Sequence, residues 1–409
     1  MTSSPDRRTV GMPTVTMIGG GQLARMTHQS AIALGQCLRV LAGSADEPAA
    51  QVSANVVLGS HDDLEALRAA AEGAVALTFD HEGVPLAHLE ALEADGVQVR
   101  PPSKALHFAQ DKMAMRKRLS ELGLPVPAFV DLSGEASAAR EALIEFGESQ
   151  DWQVVIKAVS GGYDGRGVWI TDTRDEALAA FDSQVGGDVV LMAEQKIEMA
   201  RELSAMVARS PYGQGAAWPV VETVQRKGQC AVVIAPAPGL DPDVAEKAQQ
   251  MSLTLADELG VVGAMAMELF ETVDGDLIVN ELAMRPHNSG HWTMDGAVTS
   301  QFEQHLRAVL DYPLGDTAAR ADVTVMANIL GADRAPEMAM DERLHHLFAR
   351  MPEAKVHMYG KGERPDRKIG HVNIVGRPGE TLDDIRERAE RAARWMSTGT
   401  WSDGWDPHA

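Results

Sequence analysis

Glu268 and Glu281 lie in two apolar, strand-like runs, residues 263–270 and 277–282. Between the runs stands Asp274-Gly275, a strong signal for a two-residue hairpin turn. Counting outward from that turn places Glu268 directly opposite Glu281. Like charges facing each other on a sheet repel. A divalent cation between them removes that cost, and oxygen ligands of this kind suit Mg²⁺ held jointly with substrate phosphates. Ala264 and Ala266 share the face of Glu268 and leave room above the sheet. In an ideal strand Asn280 points to the other face, so its participation requires a local bend. The competing expectation is an exposed hairpin with two hydrated glutamates.

A second group could hold phosphate. Val154-Val155-Ile156-Lys157 ends an apolar run in a lysine, and Gly161-Gly162-Tyr163-Asp164-Gly165-Arg166-Gly167 follows. The run predicts a buried strand. Glycines let backbone N–H groups approach an anion and permit positive φ. The lysine precedes the glycines, so this is not a Walker loop. A glycine-rich surface turn is the alternative.

Three further clusters carry polar chemistry. Arg285-Pro286-His287-Asn288-Ser289-Gly290-His291 reads as a loop able to hold a small planar anion. A zinc site on His287 and His291 lacks helical spacing. Lys361-Gly362-Glu363-Arg364-Pro365-Asp366-Arg367-Lys368 is a basic loop in an acidic chain, suited to a phosphate monoester or simply solvated. Asp80, His81 and Glu82 follow a predicted strand, at the end where ligands of α/β sheets bind.

These residues need a frame. Gly19-Gly20-Gly21-Gln22-Leu23-Ala24 sits between a strand at 14–18 and a helix ending near Gly35, with the next strand at 38–41. This approximates the dinucleotide fingerprint, but the acidic partner after the second strand is displaced to Asp46 and Glu47. The turn still suits a phosphate at a helix N-terminus. Helices are expected over 62–72, 111–122, 135–147, 174–181 and 241–259. Strands are expected over 74–78, 189–193, 201–209, 323–330 and 355–359. Asp241-Pro242 and Thr381-Leu382-Asp383-Asp384 are helix starts.

A chain of 409 residues should form two or three domains. The net charge of −22 argues against nucleic-acid or anionic-membrane partners. Cys37 and Cys230 are the only cysteines, which excludes a disulfide framework. No stretch has membrane-spanning length, and residues 1–13 lack a signal-peptide core, so a cytoplasmic protein is expected.

Together these motifs resemble the ATP-grasp family, and within it the biotin-independent carboxylases of purine synthesis. The resemblance covers almost the whole chain, and residues 280–291 are its most specific part. It implies an α/β and α+β multidomain protein: a Rossmann-like layer over 1–108, a central ATP-grasp fold over 109–313 with a lid at about 125–200, and a small β-rich C-terminal domain over 314–409. It implies that ATP and bicarbonate give carboxyphosphate, which carboxylates 5-aminoimidazole ribonucleotide. Lys112, Lys157, residues 162–167, Glu194, Gln195, Lys196, Ile197, Glu202, Gln225, Asn280 and Glu281 are implied ATP contacts. Within that set Lys112 and Lys157 meet phosphates, Glu194, Gln195 and Ile197 the adenine edge, and Glu202 the ribose. Glu268 and Glu281 would hold Mg²⁺, with Mn²⁺ as a substitute. Arg285, His287, Asn288, Tyr163 and Asp164 are the implied catalytic groups. Gly21, Gln22, Leu23, Asp80, Glu82, Arg166, Lys361, Arg367 and Lys368 would hold the acceptor. The glycine segment then becomes a flap between two substrates.

The resemblance also implies a homodimer, coupling to the mutase that acts next, and no biotin. The chain departs from the family pattern at Lys112 (often Arg), Gly83 (His), Thr223 (Asn), Gln225 (His) and Met284 (Pro). A formate-dependent glycinamide ribonucleotide transformylase is the sibling alternative. An NAD-dependent oxidoreductase and a non-catalytic nucleotide sensor are alternatives from other classes.

Overall fold

The computed structural model describes residues 11–161, 167–185, 187 and 189–405. The N-terminal layer comprises β1 (Val15–Ile18), α1 (Gln22–Ala33), β2 (Arg39–Ala42), β3 (Val56–Leu58), α2 (Leu64–Ala71), β4 (Ala76–Phe79), α3 (Leu86–Ala94) and α4 (Ser103–Gln110). Its parallel sheet has the order β3-β2-β1-β4. Helix α5 (Lys112–Glu121) leads to a smaller unit of β5 (Phe129–Asp131), α6 (Ala136–Ser149), β6 (Val154–Ala158), β7 (Val168–Thr171), α7 (Arg174–Asp182) and β8 (Leu191–Gln195). That antiparallel sheet runs β5-β8-β6-β7.

The central part follows as β9 (Met199–Arg209), β10 (Gly215–Ala217), β11 (Val221–Arg226), β12 (Gln229–Ala235), α8 (Pro242–Glu258), β13 (Gly263–Thr272), β14 (Leu277–Ala283), α9 (Thr293–Gly296) and α10 (Gln301–Val309). The chain ends with β15 (Thr324–Leu330), α11 (Met340–Arg350), β16 (Lys355–Met358), β17 (Lys368–Val375) and α12 (Leu382–Thr398). The C-terminal strands extend the central sheet, because β15 pairs with β12. The order is β14-β13-β9-β11-β12-β15-β17-β16, with β10 beside β9.

Helix starts follow local polar chemistry. Asp111 accepts from the Ala114 N–H, Asp241 from Asp243, and Thr381 from Asp384. Among the described residues no helix is long and apolar enough to cross a membrane.

Three expectations need correction. The 154–157 run is buried on one face only: Val154 and Ile156 are fully buried, while Val155 and Lys157 are half-buried. Val189 and Val190, 45% and 48% exposed, precede the strand instead of forming it. The basic run is not all loop, because Lys368 opens β17.

The glycine turn departs from expectation in a further way. The Gly20 N–H donates to Glu47 Oε2 at 3.0 Å, and Gly21 N–H to Asp80 Oδ2 at 3.0 Å. The Ala24 N–H donates to Asp80 Oδ1 at 2.7 Å. A Cβ on Gly20 or Gly21 would collide with those same carboxylates. The chain's own acids thus take the place expected for a phosphate. The N–H groups of Gln22 and Leu23 keep no acceptor among the described residues.

His305 ties the layers together. The Ala264 N–H donates to its Nδ1 at 3.0 Å, so Nε2 carries the proton and donates to Thr78 Oγ1 at 2.8 Å. Burial pushes its pKa down from 6.5 to about 3. The unfolded chain therefore takes up this proton first as pH falls. Its contribution is complete above the ordinary value of 6.5 and declines toward 3. His305→Gln is expected to flatten unfolding free energy against pH by about 1.4 kcal/mol per unit between about pH 6 and about pH 4. Parallel urea-denaturation curves for the two proteins would contradict this.

Candidate active site

The hairpin brings Glu268 opposite Glu281, but by a route the sequence did not reveal. The turn has three residues, Val273 to Gly275, closed by the Gly275 N–H on the Thr272 carbonyl. Gly275 has φ +85°, as the last position of such a turn requires. Pairing near the turn is Glu271 with Leu277, Phe270 with Ile278 and Leu269 with Val279. Asn280 is then skipped, and Glu268 pairs with Glu281. The longer turn shifts the register by one residue, and a β-bulge at Asn280 shifts it back. Bulges re-aim side chains. Here the bulge supplies the bend that Asn280 needed.

Two lysines meet the bulge. Lys157 Nζ donates to Asn280 Oδ1 at 3.3 Å. Lys112 forms a close ion pair with Glu281. The bulged Asn280 carbonyl accepts from Arg116 Nη2 at 2.6 Å. Arg116 also grips Glu194, with Nε on Oε1 at 2.7 Å and Nη2 on Oε2 at 3.2 Å. Lys157 Nζ lies 2.7 Å from Glu194 Oε2. The Glu194 carboxylate is thereby engaged, which leaves its backbone for any adenine contact.

The Glu194 pairing is asymmetric, because two cations share one carboxylate. Burial raises Glu194, but Lys157 and Arg116 together hold it below the ordinary carboxylate range. Burial, with Arg116 and Lys112 nearby, holds Lys157 below the ordinary lysine range even though Glu194 opposes this.

The carboxylate row spans three strands. Glu268 pairs with Ser204 on β9 and with Glu281 on β14. Glu202, two residues before Ser204, shares that face. Gln225 Nε2 donates to Glu202 at 2.9 Å. Burial first, and Glu268 second, push the Glu202 carboxyl above its ordinary range. Glu268 ends below it: burial raises it, and the His287 hydrogen bond, with Lys112 and Lys368 nearby, outweighs that.

The 285–291 loop is held from every side. Glu82 Oε2 accepts from Arg285 Nε at 2.6 Å, and its Oε1 from the Met284 N–H at 3.3 Å. His287 Nε2 lies 3.2 Å from Glu268. The hydroxyl and N–H of Ser289 both face His287 Nδ1, at 2.9 and 3.4 Å. We assign Nδ1 as acceptor and the proton to Nε2 on that pattern. Asn288 and Asn328 form a reciprocal amide pair, with N–O distances of 3.0 and 2.8 Å. Gln301 accepts from the His287 N–H and donates to its carbonyl, both at 2.8 Å. His291 is buried and bonded to Gln301, and no group of three or more potential metal ligands occurs among the described residues.

The structure gathers Lys112, Lys157, Glu194, Glu202, Gln225, Glu268, Asn280, Glu281, Arg285, His287 and Asn288 through these contacts. Gln195 ends β8, and Lys196 binds Asp172 as Ile197 leads on toward β9. Asp80 and Glu82 reach the site mainly by holding α1 and Arg285. On the C-terminal side Lys361 lies 5.9 Å over the Tyr359 ring, Arg367 Nη1 donates to the Gly362 carbonyl at 3.1 Å, and Lys368 begins β17. Gly162, Tyr163, Asp164, Gly165 and Arg166 lie outside the described residues; Gly167 borders β7. Sequence reasoning missed Arg116, Gln301 and Asn328. A basic residue four positions after Lys112 was the one local hint for Arg116.

Comparison with known proteins agrees with this arrangement. Residues 12–110 match the ribonucleotide synthetase preATP-grasp domain, 117–302 the ATP-grasp domain, and 324–386 the phosphoribosylaminoimidazole carboxylase C-terminal domain. Fold and site therefore define an ATP-grasp ligase. The chain is 60% identical over 400 residues to N5-carboxyaminoimidazole ribonucleotide synthase of Mycobacterium tuberculosis, covering 97% of this chain and 90% of the relative. The Thermus thermophilus synthetase structure superposes with a TM-score of 0.81 at 34% identity, covering 96% of this chain and all of the other. An Aspergillus clavatus synthase, solved with ADP and 5-aminoimidazole ribonucleotide, gives 0.82 at 29% identity over 94% of this chain and 98% of the other. The chain belongs to the N5-carboxyaminoimidazole ribonucleotide synthase family.

Glu82 joins the N-terminal layer to the 284–291 segment by two bonds, to Arg285 and to the Met284 N–H. Glu82→Ala is expected to lower the unfolding free energy by about 1–3 kcal/mol, read by urea denaturation. An unchanged midpoint and slope would show that the link carries no stability.

Proposed function

We propose that this chain carboxylates 5-aminoimidazole ribonucleotide with ATP and bicarbonate, giving N5-carboxyaminoimidazole ribonucleotide, ADP and phosphate in purine synthesis. The observation that carries this is the opposed Glu268–Glu281 pair beside Lys112 and Lys157, in a chain of this family. In the first step a bicarbonate oxygen attacks the γ-phosphorus of ATP and ADP leaves. In the second, the exocyclic amine attacks the carboxyl carbon of carboxyphosphate, loses a proton, and phosphate departs.

The donor set fits Mg²⁺: two carboxylates with an amide oxygen at Asn280 are hard oxygen ligands. Mn²⁺ has the same preference. Bound there, the ion would draw negative charge from the terminal phosphates. Lys112 and His287, which engage the two glutamates in this structure, are the groups that must change partners. Lys112 would move from Glu281 to phosphate, a point-charge contact for which lysine serves as well as the family's arginine. Lys157 would do the same from Glu194.

Arg285, His287 and Asn288 would surround bicarbonate and carboxyphosphate with donors. Their aim depends on Glu82, Ser289 and Asn328 respectively, so the donors are set before the charge develops. Burial pulls the Arg285 guanidinium down, but Glu82 more than restores its charge. Glu202 with Gln225 would take the ribose, and residues 194–197 the adenine edge. Gly21, whose N–H is taken by Asp80, and Gln22 and Leu23, whose N–H groups are not, would meet the acceptor beside Asp80 and Glu82. Lys361, Arg367 and Lys368 would take its phosphate. Tyr163, Asp164 and Arg166 are assigned to the acceptor side of the flap, and Gly162, Gly165 and Gly167 to its backbone.

We assign residues 1–108, 109–313 and 314–409 as the three domains, with the lid at about 125–200. Homodimerisation, hand-over to the mutase and a cytoplasmic location complete the proposal.

Purified protein should release ADP only when bicarbonate and 5-aminoimidazole ribonucleotide are both present, in a coupled spectrophotometric assay. Equal ADP release without the ribonucleotide, or activity with formate and glycinamide ribonucleotide instead, would overturn the substrate assignment. Glu281→Gln should lower kcat by about 10²-fold or more, a loss of roughly 2.7 kcal/mol of transition-state stabilisation. Turnover within about threefold of wild type would remove the basis for the carboxylate pair.

A further inference from the structure

Arg116 has no part in the function set out so far. It stands one helical turn beyond Lys112 on α5, so the two side chains leave the same face. Its side chain is 0% exposed, and that of Glu194 is 2% exposed. A guanidinium hidden so completely is costly unless it is paired. Yet Nη1 is buried with no hydrogen-bond partner, although Nε and Nη2 are fully used. The other buried side chains of α5, Met113, Met115 and Leu119, are apolar.

The partner explains the charge. Glu194 is a buried anion that holds two cations, Arg116 and Lys157. Lys157 also reaches Asn280. To serve a nucleotide phosphate, Lys157 has to loosen its hold on Glu194. If Lys157 were the only partner, its departure would strand a buried carboxylate, and the carboxylate would hold it back. A permanent second cation removes that restraint. Arg116 supplies it with a two-point grip that lysine cannot copy. The same guanidinium fixes the Asn280 carbonyl at the bulge, so Lys157 turns within a frame that stays put.

We propose that Arg116 is a positioning residue that keeps Glu194 neutralised, so that Lys157 is free to turn to the nucleotide phosphates. The proposal rests on the assignment of Lys157 to ATP. It differs from a plain strut in one respect: removing the charge of Glu194 should make Arg116 dispensable for nucleotide binding.

The test compares wild type, Arg116→Met and the double variant Arg116→Met/Glu194→Gln. Mg-ADP affinity is measured by calorimetry, KM for ATP and kcat by ADP release, and folding by circular dichroism. Arg116→Met should weaken ADP binding and raise KM for ATP by about tenfold or more, with a smaller change in kcat. The double variant should recover most of that loss. If Arg116→Met does not fold, the same comparison is made on Arg116→Gln, which removes the charge and keeps a hydrogen-bonding side chain. Wild-type affinity in the single variant, or no recovery in the double, overturns the role of Arg116. Wild-type protein that binds no ADP overturns the nucleotide assignment instead.

Discussion

Two carboxylates held opposite each other on neighbouring strands repel, and the surroundings of Glu268 and Glu281 answer that repulsion. Without a counter-charge the pair would push β13 and β14 apart at their buried end. In this structure the answer comes from two directions: Lys112 on Glu281 and His287 on Glu268. Both partners, a lysine charge and an imidazole N–H, have other work proposed for them, a phosphate contact and an anion contact. Under the proposed function a cation would take over the pair as those groups turn to their ligands.

The three layers of the molecule meet on that row. The N-terminal sheet contributes Glu82, which aims Arg285. The β5-β8-β6-β7 unit contributes Lys157, and α5 contributes Lys112 and Arg116. The C-terminal strands contribute Asn328, which fixes Asn288. Because β15 continues the central sheet, that last contact is set by strand register and not by a loose domain interface. Arg285 and Asn288 are thus aimed by residues from distant parts of the chain, and His287 by Ser289 of its own loop.

Much of this was legible because local chemistry decided it. The hairpin signal, the apolar runs and the helix caps act over a few residues. Even there, the facing glutamates followed from two local features that cancel. A longer turn and a bulge at Asn280 together leave the pair where a simple hairpin would put it. The partners of the glycine turn were hidden for the opposite reason. Gly20 and Gly21 suit a phosphate in sequence, but Glu47 and Asp80, 27 and 59 residues away, take those N–H groups. Gln301, Asn328 and Arg116 were invisible because their partners lie 14, 40 and 78 residues distant. A polar residue in an apolar helix or strand does not show which distant carbonyl or carboxylate it will satisfy.

The central claim is that Glu268 and Glu281 jointly hold a divalent ion with the nucleotide. Electron paramagnetic resonance titration of Mn²⁺ in the presence of ADP measures this without depending on turnover. Wild-type protein should bind one Mn²⁺ per chain with ADP, and Glu268→Gln and Glu281→Gln should each weaken that binding by about tenfold or more. Mn²⁺ affinity unchanged in both variants would contradict the account.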